Sequence, residues 1–263
     1  YKIITNNGKL SISAGNIISE QNYNYPIYNE NGKIEFSGGT INSSSKESYV
    51  YGIYNYRAGT ITVTGGEINS STDSRYAYGI YNVSNGMVEI SGGNIISRSG
   101  TSSMNCGIYN KGTGIINMTG GAISSNNFSS VSGYSSCYTY GIYNVSTGIV
   151  NLINGTVNVD NSTYNSQSYG IFNETRGTIN IVNGSVSSNS IHSSAYGVGN
   201  DGSGTINVID GVITCNSNDN YSYGIYNANA GIVNLKGGLV SCHTNEYTGY
   251  SGTYGIYNKK AGI

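Results

Sequence analysis

Few side chains in this chain can do acid–base, thiol or metal chemistry. Its 263 residues hold 13 carboxylates, two histidines and four cysteines. Glu35 and Glu89 are of the type that work as an acid and base pair on a glycosidic bond. His192, His243, Cys215 and Cys242 are nitrogen and sulfur donors of the kind that hold zinc. Cys106 with Cys137, and Cys215 with Cys242, could instead close disulfides. Each reading turns on distance, and the distances follow from a repeat.

The string Tyr-Gly-Ile-Tyr-Asn occurs at 51–55, 78–82, 140–144, 223–227 and 254–258. Variants stand at 25–29, 106–110, 169–173 and 196–200, and Tyr1–Thr5 reads as a degenerate tenth copy. The second position of the nine copies (Pro26 to Gly255) recurs at intervals of 26, 27, 28, 34, 29, 27, 27 and 31 residues. A period of this length marks a solenoid, in which each turn is one supersecondary unit stacked on the next.

One turn can be read strand by strand. After each Asn a short turn leads to Gly and then to strict alternation, as in Thr60-Ile-Thr-Val-Thr64, with Ile61 and Val63 on one side. This is strand A. A Gly-Gly, Asn-Gly or Asp-Gly corner ends it, and such residues accept positive φ readily. Strand B follows, with an inward column from Ile17 to Val240. Two residues further on lies a small column: Ser19, Ser43, Ser70, Ser97, Ser125, Val159, Ser188, Cys215 and Cys242. A polar loop leads to strand C, the repeated pentapeptide, whose Ile is expected inward and whose second Tyr outward. The expected fold is therefore all-β: a parallel β-solenoid with three strands per rung, right-handed, with about nine rungs over residues 1–263. The chain starts in a strand C and stops as another strand A begins, so it reads as a segment of a longer repeat array.

The repeat then places the reactive residues. Glu35 and Glu89 fall two rungs apart, about 9–10 Å at the spacing of paired strands. That is near the upper end for an inverting glycosidase pair, but on a flat open face nothing raises one pKa, and no Arg or Lys is expected beside either. His192 and His243 are expected in loops two rungs apart, too far to share a metal. Cys215 and Cys242 occupy one column in consecutive rungs, so they are either bridged or stacked as thiols that fill the Ser column. Cys106 and Cys137 lie in adjacent rungs at strand C, where a bridge could pin the long 126–139 loop. No catalytic residue, metal site or cofactor is expected.

Three columns could carry binding. Asn29, Asn55, Asn82, Asn110, Asn144, Asn173, Asn200, Asn227 and Asn258 are expected to be a structural ladder of stacked amides, because every rung has one. The outward face of strand A turns apolar at Ile149, Ile153, Val182, Ile209 and Ile232, beside Asn151, Asn180, Asn207 and Asn234, which makes it a candidate interface. The second Tyr column (Tyr28 to Tyr257, broken by Gly199) is either packing or a stripe on which a glycan could stack. Thr60, Thr62 and Thr64 are confined to one rung, too little for an ice-binding face.

The Gly-Ile element, the turn Asn and the Gly-Gly-x-Ile corner resemble the right-handed parallel β-helix of the pectin-lyase-like superfamily. Gly-Gly-Ala-Ile at 120–123 is similar to repeats of bacterial surface autotransporters and polymorphic outer-membrane adhesins. The resemblance implies a fold whose members include polysaccharide lyases and hydrolases, tailspikes and adhesins. Its lyase branch uses clustered Asp calcium ligands with a basic catalytic residue. Here no three carboxylates fall in neighbouring rungs of one column.

With a net charge of −1 and 10% charged residues, the chain has no basic patch for nucleic acid, and no apolar run long enough to span a membrane. The expectation is a non-enzymatic extracellular or cell-surface repeat protein: a stalk, adhesin passenger or filament component. Its partner would be a protein or glycan on the strand A face or the Tyr column, or further copies joined laterally or end to end. The alternatives are a carbohydrate-binding or polysaccharide-degrading β-helix and a self-assembling filament subunit.

Overall fold

The computed structural model describes all residues except 84, 101–103, 129–136, 246–250 and 260–263. Most of the long 126–139 loop, the middle of the 243–253 loop with Glu246, and the expected start of another strand A at Gly262 and Ile263 therefore lie outside the described residues. The described chain contains 26 strands and no helix. They stack as a parallel β-solenoid of about nine turns, because the period-2 apolar columns cannot be buried by one turn alone. Nine rungs are numbered here from strand A at Lys9–Ile12 (rung 1) to strand A at Ile232–Leu235 (rung 9).

Strand C and the first strand, Ile4–Asn6, form a ten-stranded sheet, and strands A and B together form a 16-stranded one. Most rungs keep A and B apart, but in rungs 3 and 4 they run on as single 13-residue strands, Thr60–Thr72 and Met87–Ser99. Three strands per rung is thus a simplification there. The ladder bridges the bend, pairing Gly92 with Thr64, while Gly66 and Gly93 take φ of 77° and 78°. Those glycines accept the positive φ of the bend, where the pairing skips from Ile90–Val63 to Gly92–Thr64 and on to Asn94–Glu67 before it becomes regular again.

Register is column on column. Val88 pairs with Ile116, Ile116 with Val150 and Val150 with Ile179. The inward columns of all three strands merge into one core of fully buried Ile and Val, with Phe36, Met118 and Leu152. Strand B contributes Ile41, Ile68, Ile95, Ile123, Val157, Val186 and Ile213, all at 0% exposure, as the alternation predicts.

Strand C departs from simple alternation. Ile80 sits in the core, yet a Cβ added to its neighbour Gly79 would run into the Ile95 side chain and the Gly107 carbonyl. Gly79 and Ile80 therefore both face inward. This local bulge leaves Tyr78 and Tyr81 together on the outside. The degenerate first copy also shifts by one residue. Ile4, Thr5 and Asn6 pair with Ile27, Tyr28 and Asn29, so Asn6, not Thr5, is the tenth ladder position.

Candidate functional site: the ladders along the stack

The buried Asn column is a hydrogen-bonded ladder. Each Nδ2 donates to the Oδ1 of the next rung at 2.7–2.8 Å from Asn6 through Asn29, Asn55, Asn82, Asn110 and Asn144 to Asn173. Each amide from Asn29 to Asn173 also donates to a turn carbonyl, as Asn144 does to Gly148 at 2.8 Å. The ladder resumes at Asn200, which donates to Asn227, and Asn227 donates to Asn258. Asn200 is the exception: its buried Oδ1 has no donor, so the ladder breaks between rungs 6 and 7. All members but Asn6 and Asn258 are fully buried, so this column is structural.

Two aromatic columns run on the outer side of strand C, where the sequence singled out one. The first Tyr of the pentapeptide stacks rung to rung: Tyr140 on Tyr169 at 5.1 Å, Tyr169 on Tyr196 at 4.4 Å, Tyr196 on Tyr223 at 4.8 Å and Tyr223 on Tyr254 at 5.2 Å. The second Tyr stacks likewise, as with Tyr81 on Tyr109 at 4.8 Å, and meets the first column edge to face, as with Tyr78 and Tyr81 at 4.9 Å. At the break in this column a Cβ on Gly199 would strike the Phe172 ring, which leans across the gap. Stacking occupies the ring faces that a sugar would need, so the surface offers mainly ring edges and hydroxyls. Burial raises the phenol pKa values along the middle of the columns, from Tyr51 to Tyr226, pushing Tyr54 and Tyr196 up to about 12.

Cys106 takes the place of the first Tyr in rung 4 and is fully buried among these rings, where desolvation pushes its thiol up. It pairs with Tyr140, while Cys137 stands three residues before Tyr140 and alternates to the inner face. The two lie on opposite sides of the sheet, and neither is in a disulfide. Cys215 and Cys242 are disulfide-bonded, with Cα atoms 4.6 Å apart, which decides between the bridged and stacked-thiol alternatives.

Glu35 is not isolated. Lys33 and Lys9 each approach its carboxylate at 2.9 Å, and Ser11 Oγ donates to it at 3.1 Å. Hydrogen bonds from Lys33, then Lys9, then Ser11 hold its pKa down to about 2. The expectation of no Lys beside Glu35 is corrected: strand register brings in the lysine two residues before it and that residue's counterpart one rung below, Lys9. A carboxyl so firmly ionised cannot serve as the acid of a Glu35–Glu89 pair.

His192 lies in a loop, its Nδ1 3.0 Å from Asp219 Oδ2 and its ring stacked on Tyr164 at 3.7 Å. His243 is on strand B, not in a loop, paired with Asn216. Among the described residues no group of three His, Cys, Asp or Glu is placed to hold a metal ion.

The outer face of strand A carries a second amide ladder. Asn234, Asn207, Asn180 and Asn151 each donate to the Asn one rung below, ending at Asn117, at 2.7–2.8 Å. Ile153, Ile209 and Ile232 are 42%, 47% and 41% exposed, and Ile149 and Val182 are half-buried. The register runs Met87, Ile115, Ile149, Thr178, Thr205, Ile232, so the apolar edge begins two rungs earlier than the sequence reading placed it. Two shallow hollows open on this face. One, of about 390 Å³, is lined by Glu89, Asn117, Thr119 and Ile153 among others. The second, of about 590 Å³, is lined by Asn180, Asn207, Ile209, Asn234 and Lys236 among others.

No protein-family model, no curated protein and no solved structure matches this chain.

Proposed function

We propose that this chain is a non-enzymatic extracellular structural or adhesive solenoid: a stalk, adhesin passenger or filament component of the pectin-lyase-like β-helix kind. The observation that carries the reading is the continuity of the core. The Ile/Val columns pass from rung to rung over a stack about 40 Å tall at strand spacing, flanked by Asn and Tyr ladders that are interrupted only locally, at Asn200, Gly199 and Cys106. Such ladders make length and stiffness from a short unit. The Cys215–Cys242 bridge supports an oxidising compartment, where disulfides persist.

The test is location and thiol state in the source cells. An impermeant amine-reactive biotin reagent should label the chain on intact cells, and alkylation should find Cys215 and Cys242 oxidised. A chain found only inside, with both thiols reduced, overturns the reading. Incubation with pectin, polygalacturonate or peptidoglycan separates the enzymatic alternative. Product formation that is lost in Glu89→Gln would favour it.

A further inference from the structure

Five Asn-Gly pairs stand in the chain: Asn7-Gly8, Asn31-Gly32, Asn85-Gly86, Asn154-Gly155 and Asn183-Gly184. Such a pair can react with itself. The glycine nitrogen, which no side chain shields, attacks the asparagine Cγ, and a carbon–nitrogen bond forms as the side-chain nitrogen leaves as ammonia. Water then opens the resulting succinimide at either carbonyl, giving aspartate or isoaspartate. The sequence alone ranks the five pairs equally. What separates them is how closely the fold holds each glycine nitrogen to its own side-chain carbonyl.

At the corner between strands A and B of rung 6, the Gly155 N–H donates to Asn154 Oδ1 at 3.0 Å. The Asn154 Cγ, one bond further, is then within near-attack reach of that nitrogen. Asn154 is exposed and Gly155 has φ of 101°, so hydroxide and water reach the pair. The other pairs are held differently. The Gly8 N–H is turned to Asn6 Oδ1 at 3.2 Å, and the Asn7 amide to Glu30 at 3.1 Å. Gly32 and Gly86 are buried against amides of the Asn ladder, where the backbone lacks room to close a ring. Asn183 takes the same corner one rung on, but among the described residues its side chain makes no bond to the Gly184 N–H, and φ there opens to 141°. Asp210-Gly211, at this corner in rung 8, repeats the Asn154 geometry with a carboxylate in place: its Oδ1 accepts the Gly211 N–H at 2.8 Å, and Gly211 has φ of 106°. The corner therefore accommodates an aspartate.

We propose that Asn154 is a self-modification site, where the folded chain converts its own asparagine to aspartate and isoaspartate with water as the only co-reactant. Isoaspartate places one extra atom in the main chain between strands A and B of rung 6. That corner is tied to both neighbouring rungs: the Thr156 N–H donates to the Gly121 carbonyl at 3.1 Å, and the Gly155 carbonyl accepts from the Ser185 N–H at 2.9 Å. A lengthened backbone cannot keep both bonds at these distances, so the joint between rungs 5, 6 and 7 loosens. Either product also adds a negative charge two rungs from Asp210. A chain that stays in place for long thus records its age at one corner. The inference uses only the geometry of that corner, so it stands or falls separately from the extracellular reading.

Peptide mapping by mass spectrometry, on folded chain kept at mildly alkaline pH, tests it, with an isoaspartate methyltransferase and a labelled methyl donor to mark isoaspartate. Asn154 should convert about tenfold or more faster than Asn183 and the other three pairs. In chain unfolded by urea the five should convert at similar rates, because only the fold distinguishes them. Asn154→Gln, which would need a larger ring, should remove most of the methyl label from the folded chain. Hydrogen exchange of the Thr156 and Ser185 amides should quicken in aged wild-type chain. It should not quicken in fresh Asn154→Asp, which carries the charge without the extra backbone atom. Conversion at Asn154 that is absent, or no faster than at Asn183 in the folded chain, overturns the proposal. Unchanged exchange at Thr156 and Ser185 in a chain converted to isoaspartate overturns the loosened joint.

Discussion

Asn144→Ala tests whether the buried amide ladder holds the rungs together. In the fold the Asn144 amide donates to Asn173 Oδ1 at 2.7 Å and to the Gly148 carbonyl at 2.8 Å, and its own Oδ1 accepts from Asn110 Nδ2 at 2.8 Å. The Gly148 carbonyl keeps the Thr178 N–H at 3.0 Å when the amide goes. Asn173 Oδ1 and one Asn110 N–H are left buried without a partner. At about 1–3 kcal/mol for each orphaned group, the loss is about 4 kcal/mol, less if water enters the gap. Asn200→Ala is the internal control. Asn200 receives no bond from Asn173, and its Oδ1 is already without a donor, so the substitution orphans one fully buried side-chain group, Asn227 Oδ1, besides freeing the part-buried Gly202 carbonyl, which water can reach. Its cost should be about 2 kcal/mol or less. A repeat array need not unfold in one step, so the readout is hydrogen exchange of strand C amides in the rung concerned and its neighbours. If Asn200→Ala lowers local protection as much as Asn144→Ala, the ladder bonds are not what holds the rungs, and the argument fails.

Three further predictions concern titration and redox state. Glu35 has a depressed folded pKa of about 2, so whatever stability it contributes is present above its unfolded value near 4.3 and is lost as pH falls toward about 2. Carboxyl NMR should show this low pKa, and Lys33→Met should return it toward the ordinary carboxylate range. Burial raises the phenols in the middle of the ladders, with Tyr54 and Tyr196 at about 12. Protein stability should therefore fall as pH rises from about 10 toward 12, and absorbance titration should show these tyrosines ionising above the ordinary phenol range, or only on unfolding. Reducing the Cys215–Cys242 bridge, which spans 27 residues, should cost about 3–4 kcal/mol by loop entropy, confined to rungs 8 and 9 and seen as lost exchange protection there. A Cys215→Ser, Cys242→Ser chain as well protected as the oxidised one would contradict it.

The period, the inward Ile and Val columns, the glycine corners and the Asn column are legible along the chain. These are one-dimensional patterns: side chains alternate along a strand, and a stacked array repeats its own register. The parallel solenoid of about nine turns follows from them. Features that depend on neighbours across rungs, or on a broken alternation, emerge only in the folded chain. Gly79 and its counterparts carry no side chain, so the bulge that turns Gly and Ile both inward leaves no mark in the alternation, and the first Tyr column went unread. The same facing rule separates Cys106 from Cys137, which sequence adjacency of rungs had brought together. Lys9 and Lys33 reach Glu35 diagonally, a relation that reading down one column misses. The Asn200 break is likewise invisible in the residue type, because whether an amide finds its donor is set by local geometry. The first copy, lacking the pentapeptide, could be aligned only by strand pairing, which sets Asn6 and not Thr5 beside Asn29.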